Sequence, residues 1–331
     1  MQDASRAPVV IYGMRGAQRR TWIFNSDSWS FQTRPNFQGA LRDQYLRALE
    51  LSEDGNSTEA VKILESPSFE ADSEKTWLRP WLYARAGRML MHADNWEDSN
   101  LQLKQAIELS SKMSPIIRIE LFRLLGSSLE FRGDLVSAIQ QYASMGQEAQ
   151  QLDPEGMVVA TSLLMLGSVE QQQDDLERAA SHLDHALNIS KRLAPHSFQT
   201  ATILEHLGIL AEYRNDLENA QRNYVEALQI EETYFPESRQ LASTLTNLGT
   251  LAHWRGDFER AEVYYRRALR IADKIEQNGP QVADILNNLG DSMLAQGHPK
   301  SAELISEACI NTSTARNARN PCRREDARKS G

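Results

Sequence analysis

The chain has little of what would point to chemistry. Only 2 of its 331 residues are cysteine. Cys309 and Cys322 are too few for a disulfide framework or a cysteine-rich zinc site. No apolar run approaches the roughly 18 residues that suggest a membrane span. Val9-Val10-Ile11 is too short an apolar core to make residues 1–20 a signal peptide. Gly13 and Gly16 lack the following Lys-Ser/Thr of a phosphate loop, and there is no nucleophile elbow. Excess positive charge is missing too: 36 Lys and Arg stand against 45 Asp and Glu, for a net charge of −9. An acidic chain is poorly suited to nucleic acid, whose phosphates must be neutralised by Lys and Arg. These absences lead to expectations of no enzymatic activity, no cofactor, no metal, no membrane segment and a cytoplasmic location.

What is abundant is repetition. Gly126, Gly167, Gly208, Gly249 and Gly290 are each 41 residues apart, and Gly87 lies 39 before the first. Twelve residues after the glycine comes Ala138, Ala179, Ala220, Ala261 or Ala302, with Ser99 in the first case. One before it is Leu125, Leu166, Leu207, Leu248 or Leu289. Four before it is Tyr83, Phe122, Leu163, Leu204, Leu245 or Leu286. Sixteen after it is Leu103, Tyr142, Leu183, Tyr224 or Tyr265, and nineteen after it Ala106, Met145, Ala186, Ala227, Ala268 or Cys309. Self-similarity at a fixed period of this length indicates stacked repeats.

Each period reads as two helices. In 198–234, Ile203, Leu204, Leu207 and Leu210 form one stripe at helical spacing, and Leu217, Ala220, Tyr224, Ala227 and Leu228 form another. Asp216 between them suits an N-cap, as do Asp134, Asp175 and Asp257. Pro115, Pro154, Pro195 and Pro236 punctuate the joins. Glycine inside a helix costs roughly 1 kcal/mol against alanine. Its recurrence implies that two helices approach closely there, and the recurring alanine is read the same way.

The order apolar, Leu-Gly, Ala, aromatic, Ala resembles the tetratricopeptide repeat. Units 120–146, 161–187, 202–228 and 243–269 match it well; 284–310 weakens after Ala302, 81–107 is looser and 41–66 degenerate. The resemblance implies an all-α fold, a right-handed superhelical solenoid of six or seven helix-turn-helix units near 41–66, 78–113, 116–152, 157–193, 198–234, 239–276 and 280–310. The 41-residue period looks like the kinesin-light-chain-like branch. Leu286-Asn287-Asn288-Leu289-Gly290 is similar to bacterial members in which such an array precedes an effector, often a caspase-like (CHAT) peptidase. No such domain is present in this sequence.

In that family the first helices line an inner wall where ligands bind, and offsets −6, −3, −2, +1 and +4 from each glycine lie opposite the packing stripe. They give Thr202, Glu205, His206, Ile209 and Glu212; Ser243, Thr246, Asn247, Thr250 and His253; and Asp284, Asn287, Asn288, Asp291 and Leu294. Asn247 and Asn288 are one unit apart, and a ladder of such amides can hold an extended peptide backbone. The candidate peptide-binding residues are Glu205, His206, Ile209, Glu212, Asn247, Thr250, His253, Asn287, Asn288 and Asp291. The Lys/Arg set that grips a C-terminal carboxylate in chaperone-binding relatives is missing from these offsets. The expected function is a protein- or peptide-binding scaffold, the recognition part of a larger bacterial signalling protein. The alternative is a small-molecule-sensing array controlling an effector beyond residue 310.

Both ends differ from the middle. Residues 1–37 hold Trp22, Ile23, Phe24, Trp29, Phe31 and Phe37 with little helical period, and are expected to be a poorly ordered leader or a segment whose aromatics dock on the array. Residues 311–331 are basic and polar, and disorder is expected. Residues 1–40 carry five basic and two acidic groups, +3, and 311–331 six and two, +4; with −9 overall, the array between them holds −16. That charge would suit a basic peptide. Ser306 falls where other units place an aromatic or leucine, so the last pair lacks a cap. A fragment or frame-shifted reading, and self-association through the uncapped end, are the expectations. His182 and His185 lie three apart, but nothing nearby completes a metal site. Cys309 takes the place of a packing alanine.

Overall fold

The computed structural model describes residues 9–15, 18–24, 39–66, 69, 77–111, 113–277, 279–306 and 308–309. From residue 39 onward the described chain is a succession of helix pairs. They are α1 (Gly39–Glu53) with α2 (Ser57–Leu64), α3 (Leu78–His92) with α4 (Trp96–Leu109), and α5 (Pro115–Arg132) with α6 (Leu135–Leu152). Next come α7 (Met157–Gln172) with α8 (Leu176–Leu193), α9 (Phe198–Tyr213) with α10 (Leu217–Tyr234), and α11 (Arg239–Trp254) with α12 (Phe258–Ile275). Last is α13 (Pro280–Ala295), followed by a helical run over 299–306. Each first helix packs on its second, and each second on the first helix of the next pair. The core is therefore a ribbon of successive buried clusters, each shared by neighbouring pairs. The array is all-α, a helical repeat solenoid.

The recurring glycines lie where the second helix crosses the first. A Cβ on Gly87, Gly167 or Gly249 would come within 2.6–2.7 Å of the side chain of Leu103, Leu183 or Tyr265. At Gly126 and Gly208 it would come closer still to the rings of Tyr142 and Tyr224. The large residue sixteen positions on thus lies flat against bare backbone and is fully buried. The recurring alanines are buried as well. Where Ser99 replaces alanine, its hydroxyl donates to the Gly87 carbonyl at 3.0 Å, so no polar atom is stranded. Gly290 is different. Its nearest neighbour would be Ile305 Cγ2 at 3.6 Å, because Ser306 leaves the crossing loose.

Seven residues after each glycine the chain passes through the left-handed region. The φ values are 56° at Asp94, 86° at Gly133, 63° at Asp174, 57° at Asn215, 76° at Gly256 and 77° at Gly297. Only glycine, asparagine and aspartate occupy the offset, the residue types that tolerate this conformation. The same mark fixes the register of the first pair: Gly55, with φ 84°, puts Ala48 in the glycine's place and Ala60 in the alanine's, both fully buried. The next residue but one begins the second helix. Asp134, Asp175, Asp216 and Asp257 cap it by accepting from the backbone N–H three residues on, at 3.1–3.3 Å. Nothing lies within 4 Å of a Cβ on Gly133, so a substitution there tests the backbone alone. Gly133→Val is expected to cost about 1–2 kcal/mol, and Gly133→Asn distinctly less, read as shifts of the denaturant midpoint. Equal losses would defeat the backbone explanation.

Within 1–37, read from the sequence as poorly ordered, β1 (Val9–Arg15) and β2 (Gln18–Phe24) pair antiparallel, with Val9 opposite Phe24 and Arg15 opposite Gln18. Trp29, Phe31, Phe37 and the basic tail 311–331 lie outside the described residues.

Candidate functional site

The face left uncovered follows from how the pairs stack. Successive first helices touch each other, α3 with α5, α7 with α9, α9 with α11 and α11 with α13, while successive second helices meet less. The first helices therefore line the inner side of the curve, and the side chains not covered by second helices form its wall.

The structure ties several candidate residues to one another. Glu205, 5% exposed, accepts at one oxygen from Ser243 Oγ at 2.5 Å and from Asn247 Nδ2 at 3.1 Å. His206 Nδ1 is 3.0 Å from Gln171 Oε1, and Gln171 Nε2 donates to the His206 carbonyl at 2.9 Å. His253 Nδ1 is 2.8 Å from Ser292 Oγ. Thr250 Oγ1 donates to the Thr246 carbonyl at 3.1 Å and lies 3.2 Å from the Tyr265 hydroxyl. Ile209 is half-buried against the cluster of Ala211, Leu248 and Leu251. These bonds stitch α7 to α9, α9 to α11 and α11 to α13. Asn247 thus spends its amide N–H on Glu205, whereas Asn288 makes no side-chain hydrogen bond with a described residue. The pair that looked equivalent in sequence is not equivalent in the wall. Asn287 and Asp291 are exposed and Asn288 half-buried.

The tyrosines that lie on the glycines bring their hydroxyls to this wall. Tyr142 Oη donates to Glu130 at 2.8 Å and sits 3.3 Å from Ser127 Oγ. Tyr265 reaches Thr250. Tyr224 meets Ile209 where the others meet a hydroxyl, and its own hydroxyl is buried without a hydrogen-bond partner. The half-buried Glu212 beside it also has one oxygen buried and unpartnered. Burial pushes Glu212 up to about 7, opposed by its neighbour Tyr224. Burial likewise raises Glu205 to about 7 against the bonds from Ser243 and Asn247, and draws His206 down to about 4, leaving it neutral at pH 7.

Behind the wall, Glu231 of α10 is fully buried, with Thr244 rather than a cation as its polar neighbour. Burial first, then the charge of Glu205, pushes it up to about 8 against the pull of Thr244. Sequence reading missed this residue. The signal was available, since the equivalent offset holds Ser110, Ala149, Ser190 and Ala272. Other acids in the array have cations of their own. Glu148 pairs with Arg118 at 2.6 Å, Glu170 with Arg178 at 3.0 Å and His182 at 2.7 Å, and Glu120 with Arg88 and Arg123. Glu205, Glu212 and Glu231 form no ion pair among the described residues.

His182 is thus engaged by Glu170. Among the described residues no group of three or more His, Cys, Asp or Glu could hold a metal ion. No described helix is long and apolar enough to cross a membrane. Cys309 is half-buried, with its thiol 3.5 Å from the Ala283 carbonyl.

Helical hairpins stacked through bare glycines, with a braced inner wall, define a helical-repeat scaffold. Residues 158–233 and 240–315 match the family model described as tetratricopeptide repeat. Over those residues the chain is built of tetratricopeptide repeats. Among solved structures it is similar to BtubC (BKLC) from P. vanneervenii, with a TM-score of 0.55 and 22% identity over 85% of this chain and 93% of that one. It is also similar to a signal-transduction ATPase with numerous domains (STAND) and a tetratricopeptide-repeat sensor from Pyrococcus horikoshii, with a TM-score of 0.63 and 15% identity over 84% of this chain but 42% of that one. The apo quorum sensor NprR from B. thuringiensis has a TM-score of 0.64 and 14% identity over 82% of this chain and 76% of that one. At these identities the likeness is one of fold. No curated protein sequence matches the chain.

Proposed function

We propose that the chain is a peptide-binding scaffold whose inner wall over α9, α11 and α13 holds an extended segment of a partner, and that it serves as the recognition part of a larger signalling protein. One observation carries the reading: the wall is already braced by hydrogen bonds between adjacent first helices, so no ordering cost remains to be met on binding. The groups left over, Asn288, Asn287 and the free oxygen of Asn247, are amides of the kind that satisfy a peptide backbone. A quorum sensor and a STAND sensor arm of the same fold are consistent with the signalling role.

The reading is tested with a displayed library of random heptapeptides selected on the full chain. Peptides recovered on the wild type are expected to lose about tenfold in affinity against Asn287→Ala/Asn288→Ala. Neither side chain has a described partner, so the melting temperature is expected to stay unchanged. Undiminished binding by that variant would remove the wall as the site.

A further inference from the structure

The inner wall is not uniform along its length. Over α9, α11 and α13 its offsets hold Glu205, Glu212, Asp284 and Asp291, and no Lys or Arg. Over α3 and α5 the same offsets hold Arg85, Arg88 and Arg123 against Glu120 and Glu130. Cations are thus gathered at one place in an array that is acidic as a whole. That place is built by contact between two helices. Arg123 grips Glu120 from its own helix at two points, Nε donating to Oε2 at 2.7 Å and Nη2 to Oε1 at 2.8 Å. Arg88 reaches across from α3 and donates from Nη2 to the same Oε1 at 2.9 Å. Arg85 lies one turn before Arg88 on the same side of its helix. It makes no ion pair or side-chain hydrogen bond with a described residue, and its Nε is buried without a partner. Glu130 is engaged elsewhere. It lies about 15 Å further along α5 and accepts from Tyr142 Oη and Gln172 Nε2. Three guanidinium charges therefore meet one carboxylate, a surplus of two. The cluster is open to a ligand: Arg88 and Glu120 are each 43% exposed and Arg123 30%.

We propose that Arg85, Arg88 and Arg123 bind a phosphate group carried on a segment of a partner protein. A phosphorylated side chain brings a charge of about −1.5 to −2 at pH 7 and three strong acceptor oxygens. That matches the surplus of two, whereas a single carboxylate would leave half of it unmet. The donors are at hand. Arg85 has its whole guanidinium to offer, Arg88 keeps Nε and Nη1, and Arg123 keeps Nη1. Planar forks of this kind suit phosphate oxygens better than point charges do. Glu120 holds two of the three forks in place before a ligand arrives, and so acts as a positioning residue. The arginines line an open wall rather than an enclosed pocket. A free anion would find few contacts there beyond the charge, while a phosphate on a chain lying along α3 and α5 gains the contacts of its flanks as well. This stretch is separate from the wall over α9, α11 and α13, so either site can fail while the other stands.

The experiment passes three synthetic heptapeptide pools over the immobilised full chain, with random flanks around a fixed central phosphoserine, serine or glutamate. The phosphoserine pool is expected to be retained above the other two, and the affinities of its recovered members are then measured in solution. They should fall about tenfold or more on Arg85→Gln/Arg88→Gln and stay within about twofold on Lys62→Gln/Lys104→Gln, which removes the same charge from exposed positions on α2 and α4. Arg85→Lys/Arg88→Lys, which keeps the charge and loses the forks, should fall between them. Arg85→Gln alone breaks no described contact, so it should weaken binding about threefold or more at an unchanged melting temperature, which separates the site from folding. Equal losses on the arginine and lysine variants would reduce the effect to general charge and overturn the site. Equal retention of the serine and phosphoserine pools, or of none, would overturn it too. Retention of the glutamate pool as strongly as the phosphoserine pool would overturn the assignment to phosphate. Displacement of the recovered peptides by inorganic phosphate at equal concentration would place the whole affinity in the anion and overturn the partner segment. None of these outcomes depends on Asn287 or Asn288.

Discussion

A methyl group placed on Gly208 is expected to cost the array about 1–3 kcal/mol, while the same change at Gly290 should cost nothing and gain up to about 1 kcal/mol. Both glycines are mid-helix at the same point of the period, so propensity alone favours alanine at both. The difference lies in what crosses them. At Gly208 the Tyr224 ring lies on the backbone, fully buried and unable to withdraw without opening the contact between α9 and α10. At Gly290 the nearest atom is the far methyl of Ile305, at ordinary van der Waals distance. The measurement is the melting temperature of Gly208→Ala and Gly290→Ala, with hydrogen exchange in α9 and α10 to place the loss. Responses of the same sign would show that the close crossing does not set the repeat.

Stability is expected to fall as pH rises from 6 to 8, which is unusual for an acidic protein whose carboxylates are mostly ionised well below that range. The sign follows from Glu231. Its folded-state value of about 8 lies above the ordinary carboxylate value of about 4.3. The folded chain therefore holds a proton that the unfolded chain has released. That contribution is fully present below about pH 4.3 and is lost as pH rises through 8. Glu231 alone should account for about 2 kcal/mol between pH 6 and 8. Glu205 and Glu212, raised to about 7, act in the same direction. His206 acts oppositely and lower down: held at about 4, it favours folding above its unfolded value of about 6.5 and loses that contribution as pH falls toward 4. Three raised acids outweigh one lowered histidine, so these four groups together favour folding increasingly as pH falls from 8 toward about 4.3. Glu231→Gln mimics the protonated acid. It should melt higher than wild type at pH 8, about the same only below about pH 4.3, and with a shallower dependence between. A wild-type melting temperature that is flat from pH 6 to 8, or a slope untouched by Glu231→Gln, would contradict the buried-acid account.

The helix pairs and their glycine crossings could be read from the sequence because close approach of two backbones restricts residue identity so severely. Gly126 and Gly208 tolerate no Cβ, and a period of 41 is written in glycine, alanine and aspartate alike. The left-handed residue of each turn, at Asp94, Gly133, Asp174, Asn215, Gly256 and Gly297, was not read from the sequence, although only three residue types recur there. The wall was legible as a position but not as a set of free groups. Offsets place Asn247, His206 and His253 on the inner side, but they do not show that Glu205, Gln171 and Ser292 reach across from neighbouring helices to claim them. Those bonds depend on helix spacing and side-chain rotamers, which periodicity does not encode. Glu231 was hidden because a single acid on a polar-looking second helix reads as a surface charge, and only its register with Ala149 and Ala272 marks it as interior. The hairpin of β1 and β2 escaped because its two seven-residue strands show no clean alternation of apolar and polar residues.

The left-handed residue after each first helix also makes the chain modular in a strict sense. Because that turn, the acid cap beyond it and the glycine crossing before it keep fixed offsets, insertions or excisions that respect the phase come in whole repeats, of 39 or 41 residues in this chain. One that does not would put a side chain where a turn needs glycine, asparagine or aspartate. The reach of the inner wall is thus quantised: it can lengthen or shorten by one rung at a time without any joint being redesigned.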